Sequence, residues 1–214
     1  MFRSSTVTWY AVGNRRRARH TGPVTRIVAG SAGGRRLSVP PKGTRPTSER
    51  VREALFGALE AVYDFDGIHV LDLYAGSGAL GFEALSRGAS VVTFVESDRR
   101  AVEVLRANAA ALKLTGANVV PGPVESVIAG PADRGYDIVL ADPPYALANA
   151  ELGAVLANLV THDWLAPEGL VVLERAARDG EPDWPAGLRP TRDKRYGDTT
   201  LHWAEAIGHG PSSE

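Results

Sequence analysis

The chain has 214 residues, 44% of them apolar and 23% charged, with a formal net charge of −1 and no cysteine. That is an ordinary globular composition, long enough to bury one α/β core without disulfide or structural-metal support. It excludes a disulfide framework, a zinc–thiolate site and a cysteine nucleophile, and no apolar run approaches the roughly 18 residues of a membrane-spanning helix.

Residues 1–24 show no sustained periodicity, crowd Arg15, Arg16, Arg17 and Arg19 together, and read as a disordered basic arm. No apolar leader precedes them, so a cytoplasmic protein is expected. Residues 25–62 read as an N-terminal unit. Ile27 and Val28 lie on one arm of a hairpin, Leu37 and Val39 on the other, with Gly30–Gly34 in the turn. Pro40, Pro41 and Pro46 mark a loop, Thr47 or Ser48 caps a helix, and Val51, Leu55, Ala58, Leu59 and Val62 recur along it at helical spacing.

From residue 68 strands and helices alternate. Strands are predicted at Ile68–Leu73, Ser90–Val95, Asn118–Val120, Tyr136–Ala141 and Leu170–Glu174, with helices near 79–87, 99–112, 124–129 and 149–161. Such alternation means right-handed crossovers and a doubly wound parallel sheet. Thr191–Tyr196 and Thr199–Ala204 flank Gly197-Asp198 and read as a reversed C-terminal hairpin. This places the main domain at 63–205 and a frayed tail at 206–214.

Charge is divided unevenly along the chain. Residues 1–52 hold 12 Lys and Arg against one acid, Glu49, a net of +11; the remainder carries −12. A basic end on an acidic body suggests a polyanionic partner. The candidates for phosphate contact are Arg35, Arg36, Lys42, Arg45, Arg50 and Arg52. Arg45, Arg50 or Arg52 could instead close over a ligand carboxylate.

Three motifs carry chemistry. The strand ending at Asp72 runs into Tyr74-Ala75-Gly76-Ser77-Gly78-Ala79-Leu80-Gly81, a glycine loop opening a helix. Gly76, Gly78 and Gly81 spell the dinucleotide fingerprint. Asp72 argues against a pyrophosphate and suits a cationic ligand, such as the ammonium of S-adenosylmethionine. Glu96 falls at the end of the second strand, where a carboxylate accepts ribose hydroxyls. The third motif follows the fourth predicted strand, which runs to Ala141 and stops at Asp142-Pro143-Pro144-Tyr145. Two prolines stiffen that rim, and the segment offers a carboxylate, a carbonyl and an aromatic face to a planar amine.

Together these motifs resemble the S-adenosylmethionine-dependent Rossmann-like methyltransferases, and Asp-Pro-Pro-Tyr resembles their amino-group branch. The stretches Gly43–Phe56, Lys194–Leu201 and Arg26–Gly30 narrow the likeness to the bacterial 16S rRNA guanine-N2 methyltransferase family (RsmD-like), over about residues 25–205. The resemblance implies a seven-stranded sheet and S-adenosyl-L-methionine as cofactor. The partner it implies is small-subunit ribosomal RNA, free or in an assembled subunit, and a monomer without metal is expected. It further implies that Asp142, Pro143, Pro144 and Tyr145 hold the target guanine. Asp72, Tyr74, Gly76, Gly78, Glu96 and Ser97 would hold the cofactor. Pro123-Val124-Glu125 stands where such enzymes often bind the adenine amine, leaving the Glu125 side chain and the Val124 backbone as two candidates. No histidine is placed as a general base. The alternatives are an adenine-N6 methyltransferase of DNA or RNA and an NAD-binding oxidoreductase. Glutamine-N5 methylation usually has Asn where Asp142 stands.

Overall fold

The structure, a computed structural model, describes residues 24–40 and 48–208. A small antiparallel pair, β1 (Val24–Arg26) and β2 (Arg36–Ser38), precedes helix α1 (Glu49–Glu60). There follow β3 (His69–Leu73), α2 (Ala79–Arg87), β4 (Val91–Glu96), α3 (Arg99–Leu112), β5 (Ala117–Pro121), α4 (Val124–Ile128), β6 (Tyr136–Ala141), α5 (Asn149–Thr161) and β7 (Leu165–Ala176). The chain closes with β8 (Leu188–Tyr196) and β9 (Thr199–Ala206). The seven strands of the main sheet lie in the order β5-β4-β3-β6-β7-β9-β8. β9 runs antiparallel to both neighbours, and the other pairings are parallel.

Both sheet faces are covered, as a parallel sheet requires. Val70, Ile138 and Leu140 point into one core with Leu55, Phe56, Phe82 and Leu105; Leu71, Leu73, Val139 and Ala141 point into the other with Leu152, Leu156 and Ile128. The order reverses at β3 and β6, the first strands of the two halves. A doubly wound sheet binds its ligand at that point, outside the carboxyl ends of the strands.

The N-terminal hairpin differs from its expected form. Its ladder is only Val24↔Ser38, Thr25↔Leu37 and Arg26↔Arg36, so Ile27 and Val28 belong to the long connection. That connection lies on α2. The fully buried Glu83 carboxylate accepts the Val28 and Ala29 N–H groups at 2.7 and 3.0 Å and pairs with Arg87 at 2.9 Å. The Ser48 hydroxyl caps α1, accepting the Val51 N–H at 3.2 Å. Val62 falls beyond the end of α1 and is 68% exposed, so it leaves the apolar face assigned to it. The expected basic arm lies outside the described residues except for Val24, as does the tail except for 206–208. Among the described residues no helix is long and apolar enough to cross a membrane, and no group of three or more metal-ligating side chains occurs.

Candidate active site

Strand register assembles the site. Leu73 pairs with Val95 on one side and Ala141 on the other. The next residues, Tyr74, Glu96 and Asp142, therefore stand at the carboxyl ends of three neighbouring strands, along one edge. Two strand spacings put the ends of β4 and β6 about 10 Å apart.

The glycine loop is built for close approach. Gly78 caps α2 at φ +79°, and a Cβ there would stand 2.5 Å from the Leu105 side chain and the Phe82 ring. At Gly81 a Cβ would meet the Phe94 ring at 2.3 Å, so only glycine lets α2 press onto β4. This packing brings the Gly81 N–H to the Asp72 carboxylate at 2.9 Å. Asp72 is buried, and burial pushes its carboxyl up to about 8; the Gly81 N–H opposes the rise and the Glu96 carboxylate adds to it. A buried carboxylate so disfavoured in its charged form favours a cationic ligand.

Glu96 is also buried. One oxygen accepts the Gly76 N–H and the other the Asp98 N–H, both at 2.8 Å. A carboxylate has about four acceptor positions, so two donors leave room for vicinal hydroxyls. Asp98 caps α3 through the Ala101 N–H at 2.8 Å, and Ser97 lies exposed between the two acids. The Tyr74 hydroxyl donates to Glu125 at 3.0 Å, closing the far side of the loop, while Val124 is buried beneath it. Burial, then the Glu125 bond, push the Tyr74 phenol well above its ordinary range, so it stays a neutral donor. Two buried carboxylates and a glycine cradle thus fit a ligand that pairs an ammonium with a ribose.

The acceptor loop rises from β6. Asp142 is half-buried, Pro143 buried, and Tyr145 is 54% exposed, so its ring is not a core side chain. The loop is held in shape. The Leu147 N–H donates to the Pro144 carbonyl at 2.9 Å, and the buried Arg175 at the end of β7 donates to the Leu147 carbonyl at 3.2 Å and to Asn149 at 3.1 Å. Sequence reasoning missed Arg175 and Glu83. Each stands next to apolar residues on a face that the strand or helix period buries, and a charge there was the available signal.

The basic candidates divide. Arg52 is fully buried, donating to the Thr25 hydroxyl at 3.1 Å and the Arg26 carbonyl at 2.6 Å. It cannot touch RNA, because it sits inside the joint between the hairpin and α1. Arg35 donates to the Leu112 and Ala111 carbonyls, at the negative end of the α3 dipole. Arg36 and Arg50 are exposed. Lys42 and Arg45 lie outside the described residues. His202 meets Asp193 at 2.9 Å.

Comparison with known proteins bears on the family and the fold. A family described as "Conserved hypothetical protein 95" matches residues 25–205. Ribosomal RNA small subunit methyltransferase D of Escherichia coli (strain K12) is 39% identical over 186 residues, covering 86% of this chain and 91% of that protein. Among solved structures, yhhF of Escherichia coli, described as a candidate methyltransferase, has 37% identity and a TM-score of 0.77. That match covers 87% of this chain and all of the other. A hypothetical protein of Thermus thermophilus has 35% identity and a TM-score of 0.72, covering 86% of this chain and all of its own.

Proposed function

The chain belongs to the ribosomal RNA small subunit methyltransferase D family, and from that premise we propose that it methylates the exocyclic N2 amine of a guanine. The reaction class is S-adenosyl-L-methionine-dependent methylation of 16S ribosomal RNA. A ribosomal substrate supports a cytoplasmic location. The observation that carries the finer reading is the shared sheet edge. It sets the Asp72 and Glu96 carboxylates beside the Asp142-Pro143-Pro144-Tyr145 loop.

When bound, the cofactor supplies an electrophilic methyl on a sulfonium leaving group. The chain's own residues bind and orient. Asp72 faces the ammonium, Glu96 accepts the ribose hydroxyls, and Glu125 with the Val124 backbone flanks the adenine. Asp142 and the Pro143 carbonyl accept the two N–H bonds of the guanine amine, which aims the nitrogen and favours positive charge developing on it. Tyr145 stacks on the base. The guanine N2 lone pair is delocalised into the ring, so holding the reactants in line matters more than a strong base.

The test separates the two halves of the edge. Asp142→Ala should abolish methyl transfer to small subunits from a strain lacking the enzyme, while S-adenosylhomocysteine affinity stays within a few-fold. Glu96→Ala should do the reverse first. Losing charge-assisted hydrogen bonds worth roughly 1.5–3 kcal/mol weakens S-adenosylhomocysteine at least tenfold. Nuclease mapping of the labelled base identifies the acceptor; a label on adenine N6 would overturn the guanine assignment, and stabilisation by NAD would overturn the cofactor.

A further inference from the structure

A second feature lies on the same edge, formed by the reversed hairpin. Because β9 runs antiparallel to β7, Thr199 pairs with Ala176 at the last residue of β7. The β8–β9 turn therefore stands beside the acceptor loop rather than at the opposite end of the sheet. The Ala177 N–H fastens it, donating to the Asp198 carbonyl at 2.8 Å. Between turn and loop is a cavity of about 450 Å³ lined by Tyr145, Ala176, Ala177, Arg178, Arg195 and Asp198. That is within the roughly 300–1,000 Å³ of small-ligand pockets.

Its chemistry is specific. The Arg178 guanidinium lies 6.0 Å from the centroid of the Tyr145 ring, with its side chain 78% exposed. Arg195 is held by its Nε, which donates to the Gly197 carbonyl at 2.8 Å, so its terminal nitrogens are directed by the turn. Two guanidiniums suit a phosphate diester, since each offers paired donors in a planar fork. The Asp198 carboxylate opposes an anion but accepts a hydroxyl, and a 2′-hydroxyl is what separates RNA from DNA. Phosphate contacts fix the register of a strand, and a base stacked on Tyr145 leaves its own backbone within reach of Arg178.

We propose that the cavity between Tyr145 and the β8–β9 turn binds the ribose-phosphate linkage beside the target nucleotide, Arg178 and Arg195 taking the phosphate and Asp198 the 2′-hydroxyl. The assignment rests on the methyltransferase reading of the neighbouring loop. It moves the register-setting contact from the N-terminal segment to the other end of the chain.

The test uses the full chain, small subunits from a strain lacking the enzyme, and a single-stranded oligoribonucleotide with its deoxy counterpart. The double variant R178A/R195A should raise the KM for subunits at least tenfold and leave kcat within about threefold. Its oligoribonucleotide binding should lose roughly 0.7 log unit of salt slope per phosphate contact removed. R178K/R195K should restore most of that slope. Asp198→Ala should narrow the preference for RNA over DNA. Thermal stability and S-adenosylhomocysteine affinity serve as folding controls and should not move. An unchanged KM and salt slope in R178A/R195A, with an active parent, would overturn the proposal. An unchanged RNA preference in Asp198→Ala would remove the hydroxyl contact alone. If the parent methylates no small-subunit RNA, the functional reading of the loop fails instead, and an unchanged salt slope would then overturn the phosphate contact separately.

Discussion

Around the β1–β2 hairpin most arginines are engaged within the domain: Arg52 of α1 is buried against Thr25 and Arg26, the exposed Arg35 caps the carbonyl end of α3, and the exposed Arg26 pairs with Glu49 at 2.8 Å, while Arg36 faces solvent. In the β8–β9 hairpin Arg192, Lys194 and Arg195 are exposed, and Arg195 stands beside the acceptor loop. Both hairpins are antiparallel and cationic, yet the first commits Arg35 and Arg26, with Arg52 beneath it, to contacts within the domain, while the second presents Arg192, Lys194 and Arg195 to solvent. A segment's net charge therefore states how many cations it has, not where they point. Near that hairpin Arg52 lies in the field of the buried Glu83 carboxylate, and Arg35 meets the carbonyls that end α3. β8 is the last strand of the sheet, so one side of it meets no strand.

The largest effect that tests this contrast is at Arg52. Arg52→Met keeps the stem and removes the guanidinium, leaving the Arg26 carbonyl and Thr25 hydroxyl without their donor. Breaking such a buried charged contact should cost on the order of 3 kcal/mol in denaturant unfolding. The salt slope of RNA binding should stay at its parental value. A flattened slope without lost stability would place Arg52 at the RNA and erase the difference between the hairpins.

Next comes the glycine loop, where pH separates cofactor binding from both basic surfaces. Asp72 has a folded pKa of about 8, above the ordinary value near 4 that it takes when unfolded. The folded protein therefore holds the extra proton between those values. The stability this gives is complete below about pH 4 and is lost as pH rises toward 8. An ammonium ligand prefers the ionised form, so S-adenosylhomocysteine should bind more tightly with rising pH, by up to about tenfold per unit below 8. Asp72→Asn should flatten both trends in paired thermal and calorimetric titrations; a parental pH dependence in that variant would assign the proton elsewhere.

The smallest effect sharpens the comparison within one hairpin. Arg35→Ala should cost about 1 kcal/mol, because it removes a cation from the α3 carboxyl end. Its neighbour Arg36, exposed on β2, should cost no more than about 0.5 kcal/mol as Arg36→Ala. Of the two, only Arg36→Ala should change the RNA salt slope. Equal slopes for both variants and the parent would mean that this hairpin does not meet RNA.

Much of the fold was legible because hydrophobic period and strand–helix alternation are local properties. The run Tyr136–Ala141 reads as a strand and is β6; the apolar spacing across 99–112 reads as a helix and is α3. Where local pattern lacked a partner it misled. Val62 continues the apolar spacing of α1, but nothing packs over it once the helix ends at Glu60. Ile27 and Val28 look like strand residues, yet Glu83 takes the Val28 N–H and draws the segment onto α2.

By itself the sequence determined the site's chemical vocabulary: Asp72, Glu96 and Asp-Pro-Pro-Tyr each stand at the end of an apolar run, and a strand's end is a local fact. Only the tertiary structure decided which charges face outward and which segments share an edge. Arg52 and Arg195 are equally basic in the sequence. One is drawn inward by the Arg26 carbonyl, the Thr25 hydroxyl and a buried carboxylate 31 residues away, and the other is carried to the active edge by the antiparallel return of β9. Both outcomes depend on contacts between residues far apart in the chain, which no local period encodes.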